Sequence, residues 1–138
     1  MEREERQQLV SSWLMLQRVL ERKPENADLS WVVPRIWDLC DYAPFEALQF
    51  IVEVLDHDRS VDAMAILSAG PLEALLRKHG ARIIQRVERR ARYDRAFADL
   101  LGHVWRSSVS HRIWIRMQSA RERQGREAGK RAVVGRAG

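Results

Sequence analysis

The sequence predicts an all-α fold of about eight short helices in an α-hairpin, repeat-like (HEAT-like), right-handed array. Three observations lead there. Apolar residues recur at i, i+3 and i+4 in one segment after another, the β-branched runs that would form strands are missing, and proline and glycine mostly fall where one such segment ends and the next begins. Connections of two to six residues leave sequence neighbours packed side by side, and Leu29, Val61 and Ala96 open segments of roughly thirty residues, near the length of helical repeats, although no side-chain signature recurs between them.

Taken in order, the first helix is expected from Glu2 to Lys23, with Leu9, Trp13, Leu16 and Leu20 in one stripe, Val10 and Val19 beside it, and Pro24 as its stop. Ser30 can cap a second helix whose first turn holds Pro34 and whose inner stripe reads Val33, Ile36, Trp37 and Cys40. Pro44 suits the first position of a third helix in which Phe45, Leu48, Ile51, Val52 and Leu55 face one way. Ser60 caps a short fourth helix with Met64, Ile66 and Leu67.

The stretch from Ala69 to Gly80 reads as two turns around one complete short helix. Gly70 suits a left-handed closing residue, Pro71 a helix start, Leu72, Leu75 and Leu76 a buried face, and Gly80 an end. The next helix places Ile83, Ile84, Val87 and Ala91 on one side and Arg82, Arg86, Arg89 and Arg90 on the other. Asp94 caps a helix carrying Phe97, Leu100, Leu101, Val104 and Trp105, with Gly102 as a point where another backbone can approach. Ser110 caps the last helix, with Ile113, Trp114 and Met117 inward and Val109 and Trp114 as a hydrophobic staple. Past Ala120 apolar residues nearly vanish, so residues 1–120 read as one helical domain and 121–138 as a basic, disordered tail.

At 138 residues the chain is long enough to bury a core without disulfides or metals, and its one cysteine, Cys40, excludes an intramolecular disulfide. The mixed-charge N-terminus lacks the apolar core of a signal peptide and no apolar run approaches a bilayer span, which points to a cytoplasmic protein with no membrane partner. The net charge of +5 is unevenly placed: eight of the basic residues lie from Arg112 onward against two glutamates, which leaves residues 1–111 close to neutral.

Ala69-Gly70-Pro71-Leu72-Glu73, with Leu75-Leu76 and His79-Gly80, followed by an arginine-rich helix and Leu100-Leu101-Gly102-His103-Val104-Trp105, resembles a family of small bacterial proteins classed as a domain of unknown function. The resemblance covers about Leu29 to Ser108 and includes the Leu29-Ser30-Trp31 opening; Pro34 departs from the pattern. It implies a helical fold and a bacterial source and no activity.

The histidines His57, His79, His103 and His111 never pair at i+3 or i+4, so no helix face offers two metal ligands, and no cofactor is expected. Asp56-His57-Asp58 point in different directions on a helix and read as a solvated end; His79 reads as a partner for a terminal carbonyl. No nucleophile elbow, phosphate-cradling loop or dinucleotide fingerprint is present, and Cys40 lies on an apolar stripe where a thiolate is disfavoured. Trp13, Trp37, Trp105 and Trp114 fall on inner stripes, whereas Trp31 precedes its stripe and suits an interface anchor.

The leading expectation is a non-enzymatic helical module that binds another protein through Trp31 and the Arg82, Arg86, Arg89 and Arg90 face. The alternative is an accessory protein that binds nucleic acid non-specifically, contacting phosphates through Arg116, Arg121, Arg123, Arg126, Lys130 and Arg131.

Overall fold

The computed structural model describes the backbone of residues 1–21 and 29–137 and the side chains of 1–17 and 29–126. In chain order it contains α1 (Arg3–Glu21), α2 (Val32–Tyr42), α3 (Pro44–His57), α4 (Val61–Leu67), a π turn (Ser68–Leu72), α5 (Glu73–Tyr93), α6 (Arg95–Leu101), a 3-10 turn (Arg106–Ser108) and α7 (His111–Ala137), with no strand among the described residues. None of these helices is long and apolar enough to cross a membrane. The expected stop at Pro24 and the side chains of Val19 and Leu20 lie outside the described residues.

Local chemistry sets the helix starts. Pro44 occupies the first turn of α3, where its missing N–H costs nothing. Ser60 and Asp94 accept hydrogen bonds at 3.2 Å from the backbone N–H groups of Ala63 and Phe97, and Ser110 Oγ accepts one at 3.3 Å from Ile113. Each satisfies a donor that the first helical turn leaves open.

The stretch from Ala69 to Gly80 differs from its sequence reading. The path from Val61 to Tyr93 is continuously helical: a π turn carries Gly70 and Pro71, and α5 then runs on through a kink at His79, whose φ and ψ are −131° and 19°. Gly70 is not left-handed, and Pro71 sits inside the helical path. A proline in an α-helix removes the bond to the carbonyl four residues back and crowds it. The π turn shifts the pairing, with the Glu73 N–H donating to Ser68 O and Gly70 O. Gly80 does not end a helix either. It is buried within α5, and a Cβ there would stand 3.1 Å from Ile113 Cγ1 of α7. Gly80→Val is therefore expected to lower stability by about 1–2 kcal/mol through overpacking, read as a lower urea midpoint; an unchanged midpoint would show that α7 does not rest there.

These joins remove two of the expected helix breaks, and the described residues form seven α-helices rather than eight. Gly80 meets Ile113, Glu88 pairs with Arg116, and Arg89 and Arg92 share a recess with Ala120 and Arg123. Residue numbers rise together along both helices, so α5 and α7 run parallel, and α6 with the 3-10 turn makes the return between them. Helical backbone continues in α7 through Ala137, past the start of the expected tail, and Gln124 is buried on the stripe of Ile113, Met117 and Ala120.

The core forms where α3, α5, α6 and α7 turn their apolar faces together, around Phe50, Ile51, Leu55, Ile83, Ile84, Phe97 and Leu100. Two inner-stripe assignments are corrected. In α2 the buried positions are Val32, Ile36, Leu39 and Cys40, while Val33 and Trp37 are about two-fifths exposed. Trp31, not Ser30, occupies the N-cap position, and the buried stripe runs one residue ahead of the expected phase. Trp105 is 71% exposed because α6 has already ended at Leu101, and its backbone N–H instead donates to Glu73 Oε1 at 2.8 Å.

Candidate interaction surface

Along α5 the sequence alternates two kinds of residue with helical period. Ile83, Ile84, Val87 and Ala91 are buried, so Arg82, Arg86 and Arg89, spaced four and three apart, are carried on the opposite, exposed side. Like charges at this spacing repel by about 0.2–0.5 kcal/mol per pair. Part of this cost is met by Phe45, in the first turn of α3: the guanidinium of Arg86 stands 4.1 Å from its ring centroid and that of Arg82 5.6 Å. None of the three has a carboxylate partner among the described residues.

Beside this row lies an open groove of about 540 Å³ between α3 and α5. Phe45, Leu48, Gln49 and Val52 supply the α3 wall, and Arg86, Arg89, Arg90 and Tyr93 the α5 wall. Arg90 differs from its neighbours. It pairs with Asp94 at 2.9 Å and reaches Asp56 at 3.7 Å, so it ties the end of α3 to the end of α5 and its charge is compensated.

A second recess, of about 270 Å³, opens between α5 and α7 and is lined by Glu88, Arg89, Arg92, Tyr93, Ala120 and Arg123. Arg89 and Tyr93 belong to both recesses, and the parallel alignment of α5 and α7 is what brings Arg123 to them. Two stretches far apart in sequence thus meet on one cationic surface. The guanidinium of Arg92 lies 5.6 Å from the Tyr93 ring centroid, and the ring itself is 67% exposed.

The other expected phosphate ligands are largely spoken for. Arg116 Nε donates to Glu88 Oε2 at 3.2 Å and its Nη2 to Glu88 Oε1, which clamps α7 to α5. Arg121 lies across Gly102, where a Cβ would be 2.7 Å from its Nη2, and donates to Gln118 Oε1 at 3.1 Å. The space that Gly102 leaves is filled by this side chain and not by a second backbone. Arg126 pairs with Glu122 at 3.6 Å. The side chains of Lys130 and Arg131 lie outside the described residues. Trp31 is 40% exposed and lines neither recess, so it does not join the arginine row.

Sequence reasoning passed over Phe45, Val52 and Tyr93 as surface elements. Tyr93 carried a usable signal, since it follows Arg86 by seven and Arg89 by four residues and so falls on their face. Phe45 and Val52 carried none, because their periodicity is that of a core face. A larger, shallow recess of about 630 Å³ over the 3-10 turn is lined by Trp105, Arg106, Ser107 and Val109 of the loop and by His111 at the start of α7.

His79 Nε2 donates to the carbonyl of Asp41, in the last turn of α2, at 2.9 Å, and the neighbouring Lys78 pairs with the Asp41 carboxylate. Both residues therefore hold α2 against the start of α5. Burial pushes the Cys40 thiol up to about 11, with the nearby Asp41 charge adding to the effect and Lys78 opposing it. Among the described residues no three His, Cys, Asp or Glu side chains gather as a metal site would require. The chain belongs to a family of unknown function (DUF6869), whose model matches residues 20–125. No curated protein and no solved structure matches it. The groove and Arg123 fall within the matched residues, whereas Lys130 and Arg131 fall beyond them.

Proposed function

We propose that this member of the family acts by binding another protein, without catalysis of its own, through the cationic face of α5 and the groove beside it, in the bacterial cytoplasm. The observation that carries the reading is the row Arg82, Arg86 and Arg89. These three side chains are exposed and lack carboxylate partners among the described residues, and Arg86 and Arg89 line the groove with Leu48 and Val52. Arginine beside apolar and aromatic surface is the composition that dominates the energetics of protein interfaces.

Reversal of Arg82, Arg86 and Arg89 to glutamate, with Arg90 left in place because it holds Asp94 and Asp56, is expected to abolish binding of the partner. The measurement is affinity capture with the native chain, followed by titration of the purified captured protein against native and variant forms. Unchanged affinity in the variant would sink the reading.

The second reading is non-specific nucleic-acid binding by the basic C-terminal stretch, supported by the helical backbone of α7 through Ala137 and by Arg123 beside Arg89. It requires binding of generic duplex or single-stranded nucleic acid that weakens steeply with salt and is lost on changing Lys130 and Arg131 to glutamate. Truncation after Met117 is unsuitable as a test, since it would remove the buried Ala120 and Gln124.

A further inference from the structure

We infer that the α3–α5 groove accepts an acidic amphipathic helix, whose apolar side chains rest between Val52 and Tyr93 while its carboxylates meet Arg82, Arg86 and Arg89. The inference deepens the binding reading above and rests on it. Charge complementarity identifies the occupant's polar side: Arg86 and Arg89 line the groove and Arg82 continues their row one turn beyond it, all three lack carboxylate partners among the described residues, and their i, i+4, i+7 spacing runs along one helix face. The arginine row and Tyr93 extend about 16 Å along α5, which is three turns of an opposing helix.

The floor identifies the apolar side. Val52 presents aliphatic surface beside the nearly buried Leu48, and Tyr93 stands up at the end as an exposed wall. An anchor side chain seated there leaves water while the arginines remain at the rim, the arrangement by which a groove selects an amphipathic helix over an unstructured acidic chain.

The same details disfavour a nucleic-acid strand. Stacking of successive bases needs a track of open aromatic faces, but the face of Phe45 is occupied by Arg86, which leaves Tyr93 as the one exposed ring among the residues lining the groove. Asp56 and Asp94 sit behind Arg90 at one end of the groove, and Glu88 lines the adjoining recess. These carboxylates repel a continuous phosphate backbone, whereas a helix can set an uncharged residue opposite them.

The probe is a synthetic glutamate-rich peptide of about 16 residues with leucines at i, i+4 and i+7, titrated against the full chain by fluorescence anisotropy at about 0.15 M salt. Its controls are a peptide with serine in place of each leucine and an oligothymidylate of similar length. The leucine peptide is expected to bind at least about tenfold more tightly than the serine peptide. Arg86→Glu with Arg89→Glu should weaken the leucine peptide at least about tenfold, and Tyr93→Ser, at an exposed position, should bring it toward the serine peptide. Equal affinity of the two peptides, tighter binding of the oligothymidylate at the same salt, or indifference to the paired arginine reversal would each overturn the inference. Its failure is separable from that of the broader reading. If the peptides fail while the Arg82, Arg86 and Arg89 reversal still abolishes binding of the captured partner, the face stands and its acidic-helix occupant falls.

Discussion

Phe50→Ala is expected to lower the unfolding free energy by about 3–5 kcal/mol. Phe50 is 1% exposed in the middle of α3, and its ring meets that of Trp13 edge to face, with centroids 6.2 Å apart and planes at 83°. Truncation would remove buried apolar surface, leave a cavity that α1 and α3 can fill only by moving, and forfeit the ring pair. Against a total stability of about 5–15 kcal/mol for a domain, this is a large fraction of the whole. Urea titration followed by circular dichroism measures it, with Tyr42→Ala, at an 84% exposed position on α2, as the control expected to stay within about 0.5 kcal/mol of the parent. A loss below about 1 kcal/mol would mean that α1 does not pack on α3 through Trp13.

Raising the pH from 8 to about 11 should cost the protein up to about 2–3 kcal/mol through Cys40 alone. The folded thiol is pushed from an ordinary value of 9.0 to about 11, chiefly by burial and secondarily by the neighbouring Asp41 charge. Below the ordinary value both folded and unfolded chains hold the proton, and the full folded-state stability is present. Between 9.0 and about 11 only the unfolded chain ionises, so stability falls as pH rises through this window and levels off above it. Other groups titrate in the same range, and Cys40→Ala separates them. The unfolding free energy of the parent minus that of the variant should fall with pH by the amount stated. A difference constant from pH 8 to 11 would place the Cys40 thiol in contact with water.

Much of the helical layout was legible in the sequence because its causes are local. A cap needs one side chain within three residues of an open N–H, and Ser60, Asp94 and Ser110 supply it where they were expected to. The buried stripe of α5 was equally legible, since Ile83, Ile84, Val87 and Ala91 declare one face regardless of what covers it. The phase of α2 was not. Val32, Val33, Ile36 and Trp37 are all apolar, so the periodicity admits two neighbouring stripes, and packing against α3 and α5 selects the one that leaves Val33 and Trp37 about two-fifths exposed. Gly70-Pro71 misled for a related reason. The pair ordinarily punctuates helices, but Ser68, Pro71 and Leu72 are buried, and a π turn lets the helical path continue through them.

Of the candidate surface, the arginine row on α5 could be read directly, and its isolation from Trp31 could not. Nor could the separate status of Arg90, whose ties to Asp94 and Asp56 depend on how α3 and α5 end beside each other. The expected phosphate ligands divide in the same way. Arg116 belongs to Glu88 across the helix pair, Arg121 fills the space over Gly102, and Arg123 alone of the described set faces the arginine row's recess.

By itself the sequence determined an all-helical chain, its caps, its one strongly two-sided helix, and the concentration of positive charge toward the C-terminus, because each depends on residues within a turn or two of one another. Only the tertiary structure decided that α5 and α7 lie parallel, with Gly80 admitting Ile113, and that Arg89, Tyr93 and Arg123 therefore share one surface beside the α3 groove. The physical reason is that periodicity declares which face of a helix is apolar, whereas the choice of partner for that face rests on the shapes of side chains remote in sequence.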